Sequence, residues 1–305
     1  MPADEPSIVV VGSLNLDVVM RVERFPGPGE TVLAEDHWRN PGGKGANQAA
    51  AAARLDQRVA MVGRVGRDQA GVDLRRSLED HGVDVSQVKI DDAAPTGVAT
   101  IAVDHDGENS IIVGPGANGR VSPTDVRDAS SLLDTAAVVL LQLEIPLASV
   151  LAAAQAASGV VILNPAPGRA LSQDLLQEID VLVPNRGELS LLADQPDSSD
   201  EILELVARIP APETIVVTMG SEGALVYDQG RATLIQSFET DVVDTTGAGD
   251  SFCGALADAL VRGESLPSAG RWAAAAAAVT VSRAGAQPSL PTRREVEFVL
   301  ESSRE

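Results

Sequence analysis

Cysteine, aromatic residues and positive charge are all scarce in this chain of 305 residues. The single cysteine, Cys253, excludes an internal disulfide and a cysteine-rich metal site. Aromatic residues make up only 2% of the sequence, so a core has to be built from Ala, Val, Leu and Ile. The net charge of −21 disfavours nucleic acids and anionic membranes as partners, because both repel a polyanion.

Long apolar runs and export signals are also missing. The longest uncharged apolar run, 272–281, is about half of the roughly 20 residues that a membrane-spanning helix needs. The acidic first residues have neither the basic start nor the apolar stretch of a secretory signal. His37, His81 and His105 have no spacing that suggests metal ligands. We therefore expect a cytoplasmic protein that does not bind membranes.

The chain does contain a regular alternation of strand-like and helix-like segments. Short apolar runs predict buried strands at 7–11, 59–62, 137–142, 160–163, 180–183 and 214–219. Helical patterns occupy 45–55, 68–81, 146–158, 250–262, 267–283 and 293–301. Buried strands separated by helices are typical of a parallel sheet covered on both faces. The sequence thus predicts an α/β fold with three layers, α/β/α, around a mainly parallel central sheet.

Two segments interrupt this alternation. Residues 16–36 and 97–113 have an extended pattern of antiparallel type, with turn sequences at 26–30 and 105–109. We expect them to form a small β-sheet that stands off the main sheet as a lid. The prediction for 1–305 is a single domain whose lid segments are about 16–40 and 95–114.

Polar residues follow the predicted strands, at the edge where an open parallel sheet binds its ligands. Residues 12–17 follow the first strand, and 164–167 follow the strand at 160–163. The remaining positions are Gln142, Glu144, Asn185, Arg186, Glu188, Thr218, Gly220, Ser221 and Gly223. Because several strands end in such residues, we expect a site for a polyhydroxylated ligand.

The segment 244–250 (DTTGAGD) gives the sharpest local signal. Small residues at a helix start leave backbone N–H groups uncovered, and these can hold an anion at the positive end of the helix dipole. Asp250 could be an ordinary helix cap. A carboxylate beside an anion site is costly unless it performs proton chemistry, so it could also be a general base.

A second glycine-rich segment, 42–48 (GGKGANQ), also opens a helix. Its glycines permit close approach to a ligand, and Lys44 and Asn47 supply donors. It is not a Walker A loop, because Gly45 follows Lys44 where that motif requires Ser or Thr.

The segment 114–119 (GPGANG) matches the G-x-G-x-x-G pattern of dinucleotide-binding proteins. It lies in the lid region and does not run into a helix, as that motif requires. We therefore give little weight to a dinucleotide-binding oxidoreductase.

Eight motifs in order along the chain resemble those of the ribokinase branch of the PfkB carbohydrate kinase family. They are GSLNLD (12–17), PGGKGANQA (41–49), QLEIP (142–146), NPAP (164–167), PNRGE (184–188), TMGSEG (218–223), DTTGAGDSF (244–252) and GAQPS (285–289). DTTGAGD is shared across the superfamily, whereas GGKGANQA together with GAQPS points to the ribokinase branch.

The resemblance implies a role for each matching position. Asp250 would be the general base, and the amides of Gly247, Ala248 and Gly249 would form the anion hole. The sugar would be bound by Ser13, Asn15, Asp17, Gly42, Gly43, Lys44, Gly45, Asn47, Glu144 and Asp250. ATP would be held by Asn185, Thr218, Gly220, Ser221, Glu222, Gly223, Gly249 and Ala274. Glu188 would act on Mg²⁺ through water, and a monovalent cation, usually K⁺, would be bound by Asp244, Thr246, Thr280, Arg283, Gly285 and Ser289.

Two positions depart from the pattern or stand out. Ala274 replaces the His or Asn that such kinases often have near the adenine, and Trp272 with the adjacent alanines would leave an apolar slot there. Trp38 precedes the glycine-rich segment, where it would be lid packing or a stacking platform for a nucleoside base.

The resemblance implies a phosphotransferase with an alcohol acceptor, which converts D-ribose and ATP to ribose 5-phosphate and ADP. The alternative is a nucleoside (adenosine-type) kinase or another sugar kinase of the same superfamily. A non-catalytic sugar or nucleotide sensor is disfavoured, because a sensor has no need to keep a base at 250. The expected partners are the sugar, ATP and a second copy of the chain, bound through the lid sheet.

Overall fold

The computed structural model describes residues 5–105, 107–195 and 201–303. Within these ranges the main sheet has nine strands in the order β13-β12-β11-β10-β9-β8-β1-β4-β5. These strands are β1 (Ile8–Val11), β4 (Val59–Gly66), β5 (Asp84–Asp91), β8 (Val138–Leu141), β9 (Val160–Leu163), β10 (Val181–Leu182), β11 (Thr214–Thr218), β12 (Ala224–Asp228) and β13 (Arg231–Ile235). All pairs from β11 to β5 are parallel, and the two remaining pairs, β11–β12 and β12–β13, are antiparallel. The predicted mainly parallel sheet is confirmed.

Helices cover both faces of this sheet. In β1, Ile8 and Val10 point into one core while Val9 and Val11 point into the other, so the whole strand is buried. One face carries α1 (Lys44–Arg54), α2 (Gln69–Asp80), α9 (Ala248–Val261), α10 (Leu266–Val281) and α11 (Arg293–Ser302). The other carries α3 (Pro123–Asp128), α4 (Ser130–Thr135), α5 (Leu147–Ala156), α6 (Gln173–Gln177), α7 (Arg186–Leu192) and α8 (Ile202–Val206). The three-layer α/β/α prediction is confirmed.

The low aromatic content is matched by close packing of small residues between helices. A Cβ atom at Gly254 of α9 would lie 2.6 Å from the Cβ of Ala51 in α1. The two helices therefore approach so closely that only glycine fits at this crossing. Both helices begin at the same edge of the sheet, which brings their N-termini together.

A second, small sheet contains four strands in the order β3-β2-β6-β7 among the described residues. They are β2 (Asn15–Arg21), β3 (Asp36–Gly42), β6 (Gly97–Val103) and β7 (Asn109–Gly114). We call these four strands the small sheet. Its existence confirms the predicted second sheet, although residue 106 of the turn at 105–109 lies outside the described residues.

The expectation that the small sheet is antiparallel throughout is wrong at its centre. β2 pairs with β6 in parallel, and only the outer pairs, β2–β3 and β6–β7, are antiparallel. The reason lies in the main sheet. β1 and β5 run in the same direction, and each is followed after a short connection by a strand of the small sheet, so β2 and β6 leave the same edge side by side.

Among the described residues, no helix combines the length and the apolarity needed to cross a bilayer. Within the same ranges there is also no group of three or more His, Cys, Asp or Glu side chains placed to bind a metal ion.

Candidate active site

Glu144 collects hydrogen bonds from two separate parts of the chain. Its Oε2 atom accepts from Ser13 Oγ at 2.5 Å, from Asn15 Nδ2 at 3.3 Å and from the backbone N–H of Lys44 at 3.1 Å. Ser13 and Asn15 follow β1, and Glu144 follows the neighbouring strand β8. Four predicted sugar-binding residues therefore meet at the carboxyl edge of the sheet.

The glycine-rich segment that opens α1 packs directly against the chain at 13–15. A Cβ atom at Gly43, whose φ is +90°, would lie 2.6 Å from the backbone N of Asn15. A Cβ atom at Gly45 would lie 2.6 Å from the backbone N of Ser13. These glycines are needed for contact between two protein segments, a requirement that the sequence alone did not indicate.

Asp17 of β2 lies under this segment and is buried. A Cβ atom at Gly42 would overlap its carboxyl group, so glycine is required there as well. Burial, followed by the nearby carboxylates of Glu144 and Asp250, raises the pKa of Asp17 from 3.8 to about 7, although Lys44 opposes this rise. Asp17 can therefore hold a proton that an ordinary aspartate would have lost.

We expect Asp17→Asn to stabilise the fold at pH 8 and to have little effect near pH 4. Between the unfolded pKa near 3.8 and the folded pKa of about 7, the folded state binds more protons, so stability falls as pH rises. Above pH 7 the parent protein carries the full cost of a buried charge, on the order of 1–4 kcal/mol, and Asn removes it. Urea unfolding of both proteins at pH 4 and pH 8 measures the difference. An identical difference at the two pH values would contradict the raised pKa.

Asn118 fixes the orientation of Asn15 and was missed by the sequence analysis. Its Nδ2 donates to Asn15 Oδ1 at 2.7 Å and to the carbonyl of Leu14 at 2.9 Å, while its Oδ1 accepts from the Leu14 N–H at 2.9 Å. This contact leaves Asn15 Nδ2 free to face Glu144. Asn118 belongs to the segment 114–119, which matches a dinucleotide-binding pattern. This segment follows a strand end, and that position could have indicated a site residue. Gly116 and Gly119 of the segment lie in a 3₁₀ turn at Gly116–Arg120.

Lys44 is the positive charge among these carboxylates. Burial lowers the pKa of its ammonium group, but Asp250, Glu144 and Glu188 outweigh that effect and hold the pKa above its ordinary value. Lys44 therefore stays cationic although the side chain is half-buried in the protein. It offsets part of the negative charge that the whole chain carries.

Asp250 lies in the first turn of α9 and is buried. Its Oδ2 accepts from Asn47 Nδ2 at 2.9 Å, and its Oδ1 accepts from Gln48 Nε2 at 3.1 Å. Asp250 is not the cap of this helix, because the N-cap of α9 is Gly247 and the Asp250 carboxylate is held by side chains of α1. Asn47, predicted to bind sugar, is thus in direct contact with Asp250.

The segment 247–249 forms the start of α9. Gly247 has φ +79°, a left-handed conformation that favours glycine. Among the described residues, nothing beyond the chain neighbours and the backbone of the same helix lies within 4 Å of a Cβ atom built at Gly249. The N–H of Ala248 donates to the carbonyl of Thr245 at 3.2 Å, so one of the three predicted anion-hole amides already has a partner. The amides of a first helical turn otherwise have no acceptor inside the helix.

Six of the eight predicted nucleotide residues meet at the ends of β10 and β11, whereas Gly249 lies on α9 and Ala274 on α10. Asn185 forms a parallel bridge with Thr218, and the turn Gly220–Glu222 follows with Gly220 at φ +59° and Gly223 at φ +90°. Arg186 pairs with Glu222 at 2.7 Å. The carbonyl of Ser221, in the same turn, accepts from Ser237 Oγ at 2.6 Å.

Ala274 and Trp272 lie on α10 rather than in this cluster. Ala274 is buried in the core between α10 and the sheet. The expected apolar slot at Trp272 is wrong, because this ring is packed between the guanidinium groups of Arg262 and Arg293, 4.6 Å and 5.6 Å from its centre. Arg262 is the C-cap of α9, so Trp272 lies at the far end of that helix from Asp250.

Glu188 and Asn185 hold each other in a capping box at the start of α7. Asn185 Oδ1 accepts from the N–H of Glu188 at 2.8 Å, and Glu188 Oε2 accepts from the N–H of Asn185 at 2.9 Å. Burial, followed by the charge of Asp250, raises the pKa of Glu188 despite the Asn185 hydrogen bond and Lys44. One carboxylate oxygen is left to face the site, which fits an indirect contact with a hydrated cation.

The predicted cation residues are only partly brought together. Asp244 accepts from the N–H groups of Thr246 and Gly285, both at 2.8 Å. Burial raises the pKa of Asp244, but these hydrogen bonds outweigh it and lower the pKa below its ordinary value. Three other side chains are engaged elsewhere: Thr280 Oγ1 contacts Ser251 Oγ, Arg283 pairs with Glu295, and Ser289 Oγ donates to the carbonyl of Ala286.

Trp38 lies in β3 and is half-buried. The guanidinium of Arg21, on the neighbouring strand β2, lies 5.7 Å from the centre of its ring. This contact fits the interpretation of Trp38 as packing within the small sheet.

A three-layer α/β fold with a small sheet at its carboxyl edge, and a carboxylate at a glycine-lined helix start, defines the class of small-molecule kinases. The chain belongs to the pfkB family of carbohydrate kinases, whose model matches residues 5–293.

Individual relatives are similar over nearly their full length. The chain is 38% identical over 301 residues to a ribokinase of Haemophilus influenzae, covering 97% of this chain and 98% of the relative. It is 39% identical over 297 residues to a ribokinase of Bacillus subtilis, covering 96% and 99%. The solved structure of Arabidopsis thaliana ribokinase complexed with ribose and ATP superposes with a TM-score of 0.89 at 38% identity, covering 97% of this chain and 99% of that one.

Proposed function

We propose that this protein transfers the terminal phosphoryl group of ATP to D-ribose and forms ribose 5-phosphate and ADP. The observation that carries the proposal is the buried Asp250 carboxylate, held at the N-terminus of α9 beside the polar cluster around Glu144. The relatives named ribokinase, and the ribose and ATP complex of the Arabidopsis protein, support ribose as the acceptor and ATP as the donor.

The residues at the strand ends bind and orient the sugar. Asn15, Asp17, Lys44 and Glu144 offer donors and acceptors suited to adjacent hydroxyl groups. Asp250 removes the proton from the reacting hydroxyl, a contribution of roughly 10²–10⁴ in rate. Phosphoryl transfer otherwise depends on positioning and on charge stabilisation. The N–H groups at the start of α9 supply part of that stabilisation.

The nucleotide lies along the ends of β10 and β11. Asn185 and the turn at 218–223 hold it. Gly220, at φ +59°, lets the backbone approach the ligand, because among the described residues nothing beyond its chain neighbours lies within 4 Å of a Cβ atom built there. Mg²⁺, when bound with ATP, neutralises charge on the phosphates. Glu188 is the side chain placed to contact its water shell.

A monovalent cation, K⁺ before Na⁺, binds in the loop formed by 244–246 and 280–289. The Asp244 carboxylate and the carbonyls of this loop are oxygen donors of the kind that such a cation takes. The loop joins the chain immediately before the anion hole, so a cation bound there would order 247–249. Equal rates in K⁺, Na⁺ and choline buffers would contradict this.

Two copies associate through the small sheet. Every residue of β7 is exposed, including Ile111 and Ile112, and an apolar edge strand left uncovered favours pairing with another chain. Sedimentation velocity tests the assignment: Ile112→Asp should convert a dimer to a monomer, and a monomeric parent protein would contradict it.

A substrate panel tests the proposed reaction. Initial rates of ADP release are measured with ribose, deoxyribose, fructose and adenosine, each with ATP, Mg²⁺ and K⁺. Ribose should give the highest kcat/KM. A higher kcat/KM for adenosine would identify a nucleoside kinase instead, and no ADP release with any acceptor would favour a sensor without catalytic activity.

A further inference from the structure

A chain of side-chain hydrogen bonds leads to Oδ2 of Asp250 from the protein interior. Ser77 Oγ donates to Gln287 Oε1 at 3.0 Å, Gln287 Nε2 donates to Asn47 Oδ1 at 3.2 Å, and Asn47 Nδ2 donates to Asp250 at 2.9 Å. We call this chain the Gln287 relay. Gln287 belongs to the GAQPS motif, and neither its amide nor Ser77 has a role in the proposed function.

A second chain leads to the other oxygen of the same carboxylate. Gln142 Nε2 donates to Gln48 Oε1 at 2.6 Å, and Gln48 Nε2 donates to Asp250 Oδ1 at 3.1 Å. We call it the Gln48 relay. The Nε2 atom of Gln48 also lies 3.3 Å from Oδ1 of Asn164, which further restricts its position.

Both relays have a fixed direction. A carboxylate oxygen can only accept, so Asn47 turns its N–H group towards Asp250 and its oxygen towards the N–H of Gln287. The carbonyl oxygen of Gln287 then accepts from the Ser77 hydroxyl. In the Gln48 relay, Asn164 Nδ2 donates to the carbonyl of Val183, so Asn164 Oδ1 accepts from Gln48 Nε2 and fixes the orientation of that amide. Both carboxylate oxygens of Asp250 are thereby held in one orientation by N–H donors.

Ordinary core packing does not explain these side chains. Gln48 and Gln142 are fully buried, and 2% of Gln287 is exposed. Among the described residues, Oε1 of Gln142 has no hydrogen-bond partner, so this amide is placed for its N–H contact at the expense of its oxygen. A buried acceptor left unpaired beside an active site suggests a function other than stability.

We propose that Gln48 and Gln287 are positioning residues that keep the Asp250 carboxylate aimed at the reacting hydroxyl of the sugar. Neither side chain contacts the substrate; both act through Asp250. The inference rests on the proposed function, in which Asp250 is the general base.

The test replaces each glutamine by methionine, which keeps the length of the side chain and removes its donors and acceptor. Gln48→Met and Gln287→Met should each lower kcat about tenfold, the effect of losing one such hydrogen bond in the transition state. The KM values for ribose and ATP should stay within about twofold of the parent. A loss in kcat without a change in KM is the result expected when the base is displaced while sugar and nucleotide binding are retained.

The chain contains a matched control at the far end of α9. Ser7 Oγ donates to Gln57 Oε1 at 2.8 Å, and Gln57 Nε2 donates to the buried Asp258 at 2.7 Å. Gln57→Met therefore removes a comparable chain, from a serine through a glutamine amide to a buried aspartate of α9, away from the site. It should lower the urea midpoint without changing kcat or the KM values. Ser77→Ala is a milder change at the start of the Gln287 relay and serves as the test if the glutamine variants fold poorly. It should lower kcat about twofold to threefold.

The outcomes separate this inference from the proposed function. If Gln48→Met, Gln287→Met and Ser77→Ala leave kcat like that of Gln57→Met, the positioning role is overturned. If Asp250→Asn is inactive in that case, the base assignment stands. If Asp250→Asn turns over as fast as the parent protein, the proposed mechanism itself fails, whatever the glutamine variants do.

Discussion

Asp250→Asn should lower kcat by about 10²–10⁴ while the affinity for ATP changes by less than about twofold. The carboxamide has nearly the shape of the carboxylate but cannot take a proton from a hydroxyl at neutral pH. It also faces Asn47 and Gln48 with one N–H group where both donate, so part of the loss comes from a disturbed orientation. Steady-state kinetics and calorimetric titration with ATP measure the two effects separately.

Asp258→Asn is the control for this substitution. Asp258 is also a buried carboxylate on α9, but it pairs with Arg293 at 2.7 Å and Arg262 at 3.3 Å near the end of the helix. Its neutralisation should destabilise the fold and leave kcat intact. A kcat for Asp250→Asn within about twofold of the parent value would remove Asp250 from the chemistry, since a missing general base costs far more.

Gly249→Val should lower kcat/KM for ATP by about 10²–10³, the loss typical of a removed anion-hole contact. In the part of the chain that the structure describes, a Cβ atom at this position meets nothing within 4 Å apart from its chain neighbours and its own helix backbone, so the new side chain has room. It would instead cover the amides at the start of α9, where an anion has to approach closely. The free energy of unfolding should change by less than about 1 kcal/mol, because valine costs little relative to glycine in a helix.

The comparison of kinetics with urea unfolding is what makes this variant informative. A loss of activity that parallels a loss of stability would mean that the valine disturbs the helix. Unchanged kcat/KM with an unchanged fold would mean that the phosphoryl group does not approach Gly249, and the anion hole would have to be placed elsewhere.

A net charge of −21 repels an anionic ligand such as ATP. The placement of two helix starts provides a local attraction. α1 begins at Lys44 and α9 begins at Ala248, and the two helices are packed side by side along their length. Their N-terminal ends therefore face the same region and add two positive dipole ends to the cationic Lys44. A triphosphate is attracted locally although the surface as a whole repels it.

Elements buried on both faces were predictable from the sequence alone. β1, β8 and β9, the first half of β4 (59–62) and the centre of β11 (215–217) are continuous apolar runs, and a run of that kind can be stable only inside a covered sheet. β5 escaped prediction because DVSQVKID at the sheet edge alternates polar and apolar residues. β12 and β13 were missed because their antiparallel hairpin departs from the β–α alternation used for the rest.

The candidate site was predictable in its residues but not in its connections. Ser13, Asn15, Lys44, Glu144 and Asp250 all stand beside strand ends or helix starts, and such positions can be recognised in a sequence. Asn118, Gln142 and Gln287 could not be assigned, since a buried amide has no local sequence pattern. Its partner is decided by contacts between segments that lie far apart in the chain.

The amino-acid sequence by itself determined the α/β layers, the glycine-lined start of α9 and the presence of a carboxylate there. These depend on local hydrophobic periodicity and on backbone freedom, which act over a few neighbouring residues. Only the tertiary structure decided that β2 and β6 run parallel, that Trp272 is packed between two arginines far from the site, and that two amide relays hold Asp250. Those features depend on strand direction, burial and hydrogen-bond direction, which exist only after distant segments have been brought together.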